Sequence, residues 1–204
     1  MNKPPIIVLE GPDAAGKTTL ASYLVRAFNA NRFRATWTPS LNVAMADYQR
    51  SILDNVLEHI KYVGTPFILD RHWPSEWVYG QIFRTLTPDH YKFMSEFDEI
   101  IKSNGGVYIM CGDDVVTQVK RHKENQDPKH PYNEYHYMSI LSRYYTWWKM
   151  MDKISPIVRY RLCIDGDRVG NFCHDLVSDY GDRILHKNKQ IRPITPDELA
   201  GINK

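Results

Sequence analysis

Ile6-Ile7-Val8-Leu9-Glu10-Gly11-Pro12-Asp13-Ala14-Ala15-Gly16-Lys17-Thr18-Thr19-Leu20 is the stretch that decides the fold of this chain. Ile6 to Leu9 is a fully apolar, β-branched run, the pattern of an interior strand in a parallel sheet covered on both faces. From Thr18 onward, Leu20, Tyr23, Leu24, Ala27 and Phe28 fall at helical spacing. Between strand and helix, Gly11 to Thr18 satisfies G-x-x-x-x-G-K-[ST], the phosphate-binding P-loop. Glycines let the backbone curl so that successive N–H groups face inward, and the following helix adds the positive end of its dipole. The residues expected around the phosphates are Gly11, Pro12, Asp13, Ala14, Ala15, Gly16, Lys17, Thr18 and Thr19. Lys17 is placed to reach the β and γ phosphates of ATP, and Thr18 to ligate the Mg²⁺ that bridges them.

Outward from this unit, strands and helices alternate. Arg34 to Thr38 reads as a second strand, Ile52 to Ile60 as a helix, and Pro66 to Leu69 as a buried strand ending at Asp70-Arg71. Asp89 to Lys102 is helical, Val107 to Met110 a strand, and Val115 to Lys120 the start of a helix. Residues 121–133 carry almost no apolar side chains and read as a mobile loop. Helix resumes through Tyr137 to Trp148, followed by a strand over Val158 to Ile164, a turn at Asp165-Gly166-Asp167 and a helix over Asn171 to Leu185. The expected architecture is an α/β three-layer sandwich with a mostly parallel five-stranded sheet, a P-loop NTPase fold with a small lid. Residues 1–185 form one domain with the lid at about 121–133, and 186–204 form a loose C-terminal tail.

Composition sets the outer limits. The 204 residues are 43% hydrophobic and 25% charged, with a net charge of +2, which excludes disorder and gives no strong basic field for duplex DNA. Cys111, Cys163 and Cys173 form no CxxC pair, so neither a disulfide framework nor a zinc site is expected and a cytoplasmic setting is natural. No apolar run is long enough for a signal peptide or a membrane span.

Several side chains stand out for chemistry. Asp13 places a carboxylate among phosphate-binding amides, where it either positions metal-bound water or a substrate group, or points to solvent. Asp70 and Arg71 fall at the carboxyl end of a strand, where ligands of open α/β sheets bind. Asp70 there either holds Mg²⁺ or accepts a proton, and Arg71 grips a phosphate, unless the two form a structural ion pair. Trp73 to Gln81 is aromatic-rich, and within it Trp73 and Gln81 are the candidates for substrate contact. The cluster Tyr144, Tyr145, Trp147 and Trp148 lies on a periodic helix and reads as core. Arg121, Lys123, Lys129 and His130 make the loop basic, as a lid over transferring phosphate would be.

Residues 9–19, LEGPDAAGKTT, and 64–75, GTPFILDRHWPS, resemble the thymidylate kinase family, a P-loop group related in fold to deoxynucleoside kinases; the likeness spans roughly residues 5–185. The resemblance implies Lys17 and Thr18 on ATP·Mg²⁺, Asp70 near the metal, Arg71 on the acceptor's phosphate, Arg121 on the transferred phosphoryl group, and a homodimer. Tyr48 and Arg50 are the approximate counterparts of the family's base-stacking Phe and nearby Arg. After the second strand, Thr36-Trp37-Thr38-Pro39-Ser40 lacks the acidic turn of thymidylate kinases and the glutamate base of deoxynucleoside kinases. Adenine contacts fall by position on Asp165-Gly166-Asp167. The expected activity is ATP- and Mg²⁺-dependent phosphoryl transfer to a deoxynucleoside monophosphate, dTMP or a related pyrimidine nucleotide. The shortened acceptor region also suits a hydroxyl of a nucleoside or of a base or end in nucleic acid, with Asp70 or Asp13 as base. A third reading is a non-catalytic nucleotide-binding module.

Overall fold

A strand can be apolar on both faces only if helices cover both, and β1 (Ile6–Glu10) and β4 (Val107–Cys111) are buried at every residue. In a computed structural model, which describes residues 6–35, 45–125, 133–162, 168–179 and 192–201, they lie at the centre of a five-stranded sheet. With β2 (Asn31–Arg34), β3 (Phe67–Asp70) and β5 (Ile157–Tyr160), the order is β2-β3-β1-β4-β5 and every pairing is parallel. The register sets Leu9 beside Asp70 and Ile109, and Arg34 beside Asp70, so these strand ends meet at one edge of the molecule.

The alternation of side chains divides the core. Ile7, Leu9, Ile68 and Ile109 pack under α1 (Lys17–Phe28) and the helix Val169–Asp179. Ile6, Val8, Leu69 and Tyr108 pack on the other face, under α2 (Met45–Tyr62), α3 (Trp73–Phe83), α4 (Pro88–Ser103) and, past α5 (Val115–Glu124), α6 (Glu134–Met151). The helix Val169–Asp179 is α7, and a last helix, α8 (Pro196–Gly201), follows it. Among the described residues no helix is long and apolar enough to cross a membrane. Cys111 and Cys173 are buried free thiols.

The structure changes or adds to several expectations, and α5 runs through Glu124, so Arg121 and Lys123 stand on a helix and not in the loop expected over 121–133. The second strand begins earlier than Arg34, at Asn31, because Asn29 ends α1 in a left-handed conformation (φ 49°) and turns the chain directly into pairing with β3. It is an edge strand that gives only Phe33 to the core, so it has no apolar run to mark it. Trp73 to Gln81 lies in a helix, α3, started by Pro74; buried nearly all round, it shows no amphipathic period. The tail is not loose over 192–201: Ile194 and Leu199 are fully buried, and Ser95 Oγ, Lys102 Nζ and Trp77 Nε1 donate to the Ile194, Arg192 and Leu199 carbonyls at 2.5, 2.6 and 3.2 Å. Residues 36–40, 163–167 and 126–132, where the acidic-turn comparison, the adenine guess and Lys129 and His130 fall, lie outside the described residues.

Candidate active site

The loop from Gly11 to Gly16 runs from β1 into α1 through three left-handed residues, Ala14 (φ 59°), Gly16 (φ 78°) and Gly11 (φ 141°). At Gly11 a Cβ would lie 2.0 Å from the Cys111 carbonyl oxygen, so only glycine lets the loop cross the end of β4. Lys17 folds back over the loop and is buried, its Nζ donating to the Gly11 carbonyl at 2.9 Å and to that of Pro12. Burial, and then the charge of Arg71, lower its pKa to about 8 against the pull of Asp13 and Asp70.

Arg71 begins the segment after β3 in a left-handed conformation (φ 74°), which costs a non-glycine residue energy. That backbone turn is held by the Arg71 N–H on the Leu9 carbonyl at 3.0 Å. The guanidinium spans the site: Nη2 donates to Asp13 Oδ1 at 2.6 Å, while Nη1 donates to the Gly11 carbonyl, Ser75 Oγ and Tyr144 Oη at 3.0, 3.1 and 2.8 Å. Burial alone would lower its pKa; Tyr79, Tyr144, Asp13 and Glu10 more than offset this and keep it charged. The Asp13 carboxylate is 41% exposed, so the pair reaches the open cleft.

Glu10 is the anchor beneath this pair. Fully buried, it accepts the His72 N–H at 2.7 Å and the Ser75 hydroxyl at 2.6 Å, and the Tyr144 hydroxyl at 3.3 Å. Burial raises its pKa, opposed first by Arg71. Two donors from α5 and α6 hold the loop: Gln118 Nε2 and Tyr137 Oη both donate to the Asp13 carbonyl, at 2.8 and 2.9 Å. The Tyr137 ring stacks on His122, centroids 3.7 Å apart and 6° from parallel. A cavity of about 530 Å³ lies over the loop, lined by residues 13–19 together with Arg34, Asp70, Arg71, Arg121, His122, Glu124, Asn125 and Leu162.

The structure therefore brings Asp13, Lys17, Thr18, Thr19, Asp70, Arg71 and Arg121 to one cavity. Asp70 is buried and ion-paired with Arg32, and Arg121 with the buried Asp113. Trp73 is not at the surface of this site. It is wholly buried and donates through Nε1 to Tyr108 Oη at 2.9 Å, because α3 turns it into the core. Tyr48 packs edge-on against Phe33, and Arg50 pairs with Glu96 at 2.7 Å over the Phe97 ring; neither lines the cavity, because α2 carries them against β2 and α4. Gln81 accepts from Arg143 between α3 and α6, also outside the cavity lining. Tyr144 is core, as its spacing suggests, but its hydroxyl also serves Arg71. Sequence reasoning missed Glu10, Ser75, Gln118 and Arg143. Glu10 alone had a signal, a charge between an apolar strand and a glycine loop.

No family model matches the chain. It is 26% identical over 189 residues, 82% of this chain and 89% of that protein, to deoxyguanosine kinase of Bacillus subtilis (strain 168). Among solved structures it is similar to the YorR protein of Bacillus subtilis in complex with phosphorylated GDP (TM-score 0.64, 21% identity, 85% of this chain and 96% of that one). It is also similar to deoxyadenosine kinase from M. mycoides with bound dCTP (TM-score 0.59, 13% identity, 85% and 99%). The fold is thus the P-loop α/β fold of deoxynucleoside kinase structures. Within that fold the chain carries a P-loop and is similar in sequence to a deoxynucleoside kinase.

Proposed function

We propose that this chain is an ATP- and Mg²⁺-dependent kinase that passes the γ-phosphoryl group of ATP to a hydroxyl of a 2′-deoxynucleoside. The observation that carries the reading is the convergence of the P-loop, Asp70, Arg71 and Arg121 on one cavity. The acceptor class is supported by the similarity to a deoxyguanosine kinase.

Thr18, in the first turn of α1, and Asp70 would hold Mg²⁺ together with phosphate oxygens. Among the described residues no cluster of three His, Cys, Asp or Glu could cage a metal alone, and one hydroxyl plus one carboxylate is the donor set of a phosphate-bound Mg²⁺. When bound, the metal neutralises charge on the β and γ oxygens. Loop N–H groups and Lys17 hold the phosphate chain, and Arg71 and Arg121 face the charge that develops on the transferred group. The acceptor oxygen bonds to the γ phosphorus as the bond from that phosphorus to the β–γ bridging oxygen breaks, and ADP leaves. Asp13, a partly exposed carboxylate of the phosphate loop, takes the hydroxyl proton; its pairing with Arg71 makes it a weak base, which suffices where proton transfer is late in a loose transition state. Gln81 suits recognition of the base, since its Nε2 is buried and has no hydrogen-bond partner among the described residues.

A second reading, transfer to dTMP or a related pyrimidine monophosphate, rests on the thymidylate kinase-like motifs, with Arg71 on the acceptor's phosphate. A screen with γ-labelled ATP against deoxynucleosides, deoxynucleoside monophosphates, and single- and double-stranded DNA separates the two. Label is expected on deoxynucleosides, deoxyguanosine among them, and lost in Lys17→Ala. Label on monophosphates alone selects the second reading, label on DNA alone selects a nucleic-acid hydroxyl, and label on no acceptor rejects a kinase.

A further inference from the structure

The cationic side chains that line the cavity are not alike in how they are held. Lys17 is tied to loop carbonyls, Arg71 to Asp13 and Arg121 to Asp113. Arg34 lines the same cavity, is exposed, and has no acceptor among the described residues. Its nearest carboxylate by register is Asp70, its direct neighbour across the β2–β3 pairing. One oxygen of that carboxylate, Oδ2, accepts from Arg32, two residues back and so on the same face of the strand. The face is the one under α1, because Asp70 lies two residues on from Ile68 and so on the same side of β3, and Ile68 packs there. Arg34 therefore lines the same cavity as Thr18 and Thr19 of the phosphate loop, with no ion-pair partner among the described residues.

A guanidinium in this position has a specific use. Its planar fork matches two oxygens of a phosphate, and charge-assisted bonds of this kind are about twice as strong as neutral ones. We propose that Arg34 is a phosphate-binding residue of the cleft, and that Arg32 is a positioning residue that occupies Asp70 and so leaves Arg34 free for the phosphate. The phosphate is either the terminal one of the bound nucleotide or that of a monophosphate acceptor; both present to the fork the terminal oxygens of a singly or doubly charged phosphate. The inference rests on the cleft being a nucleotide site, and it adds to that reading a residue at the end of the edge strand β2.

The test is equilibrium binding of Mg·ADP, a non-hydrolysable Mg·ATP analogue, a deoxynucleoside and its monophosphate to wild type, Arg34→Ala and Arg34→Lys. Arg34→Ala is expected to weaken one phosphate-rich member of a pair by about tenfold or more while its partner changes by less than about twofold. Loss confined to the ATP analogue assigns Arg34 to the γ phosphate, and loss confined to the monophosphate assigns it to the acceptor. Arg34→Lys recovers part of the loss, because the charge stays and the fork does not. Equal effects within both pairs, including no effect, overturn the inference but leave the proposed function standing, since wild type still binds nucleotide. Wild type that binds no nucleotide overturns both.

Discussion

Lys17 joins two opposing demands: it must carry a charge to meet phosphate, yet burial and Arg71 pull its pKa down to about 8. A bound phosphate chain raises it again, so above pH 8 binding must take up a proton. The sign follows: nucleotide affinity is flat below about pH 8 and falls as pH rises through that value, by up to about tenfold per pH unit. Titrations of ATP affinity from pH 6.5 to 9.5 check this, and Lys17→Met should bind weakly and without the slope. A slope that persists in the variant assigns the proton elsewhere. The P-loop was legible because phosphate geometry dictates its spacing along one continuous stretch. Glu10, Ser75, Tyr144 and Arg71 come from β1, from β3 with the helix that follows it, and from α6, so no local spacing marks them as one group. The same holds for the Arg32–Asp70 pair, formed between side chains 38 residues apart.

At the scale of elements, periodicity told most where an element has two unlike faces. The amphipathic α2 and α4 and the apolar β1 and β4 follow the pattern. The buried α3 and the edge strand β2 do not, the first because all its sides face protein and the second because one side faces solvent. Helices α5 and α6 do more than cover the sheet, since each contributes a donor, Gln118 and Tyr137, to one carbonyl of the phosphate loop. A carbonyl has two acceptor sites, so losing one donor leaves the other in place. Tyr137→Phe or Gln118→Leu alone should therefore cost about 0.5–1.5 kcal/mol of stability, with ATP affinity down by severalfold. Together they leave a part-buried carbonyl without either donor and should cost more than the sum of the two. A double-mutant cycle by urea unfolding measures the coupling, and strict additivity would mean that the two donors act on the loop independently.

At the scale of the whole molecule, residues 192–201 help to cover the sheet face opposite α1. Asp98 and Lys102 form a buried i,i+4 ion pair on α4, and Asp98 also accepts the Ile194 N–H at 2.8 Å and the Tyr108 hydroxyl at 2.6 Å. Burial raises the Asp98 pKa, and Lys102 is the largest influence holding it down. Tyr108 in turn accepts from Trp73, so one network links the C-terminal segment through the core to the start of α3, two residues past Arg71. Leu199 and Trp77 extend the same link. This docking was illegible because its sockets are two charged residues on a helix face, which pattern reading assigns to solvent. Leu199→Ala should destabilise by about 2–5 kcal/mol, as for other buried leucines. Asp98→Ala leaves the Lys102 charge buried without its partner and should cost about 3–5 kcal/mol. Both shift the urea midpoint at unchanged slope. Because the segment bears on α3 and α4 and not on α1, the KM for the acceptor should rise more than that for ATP in Leu199→Ala assayed below its melting range. Equal changes in both constants would confine the C-terminal segment to holding the fold together.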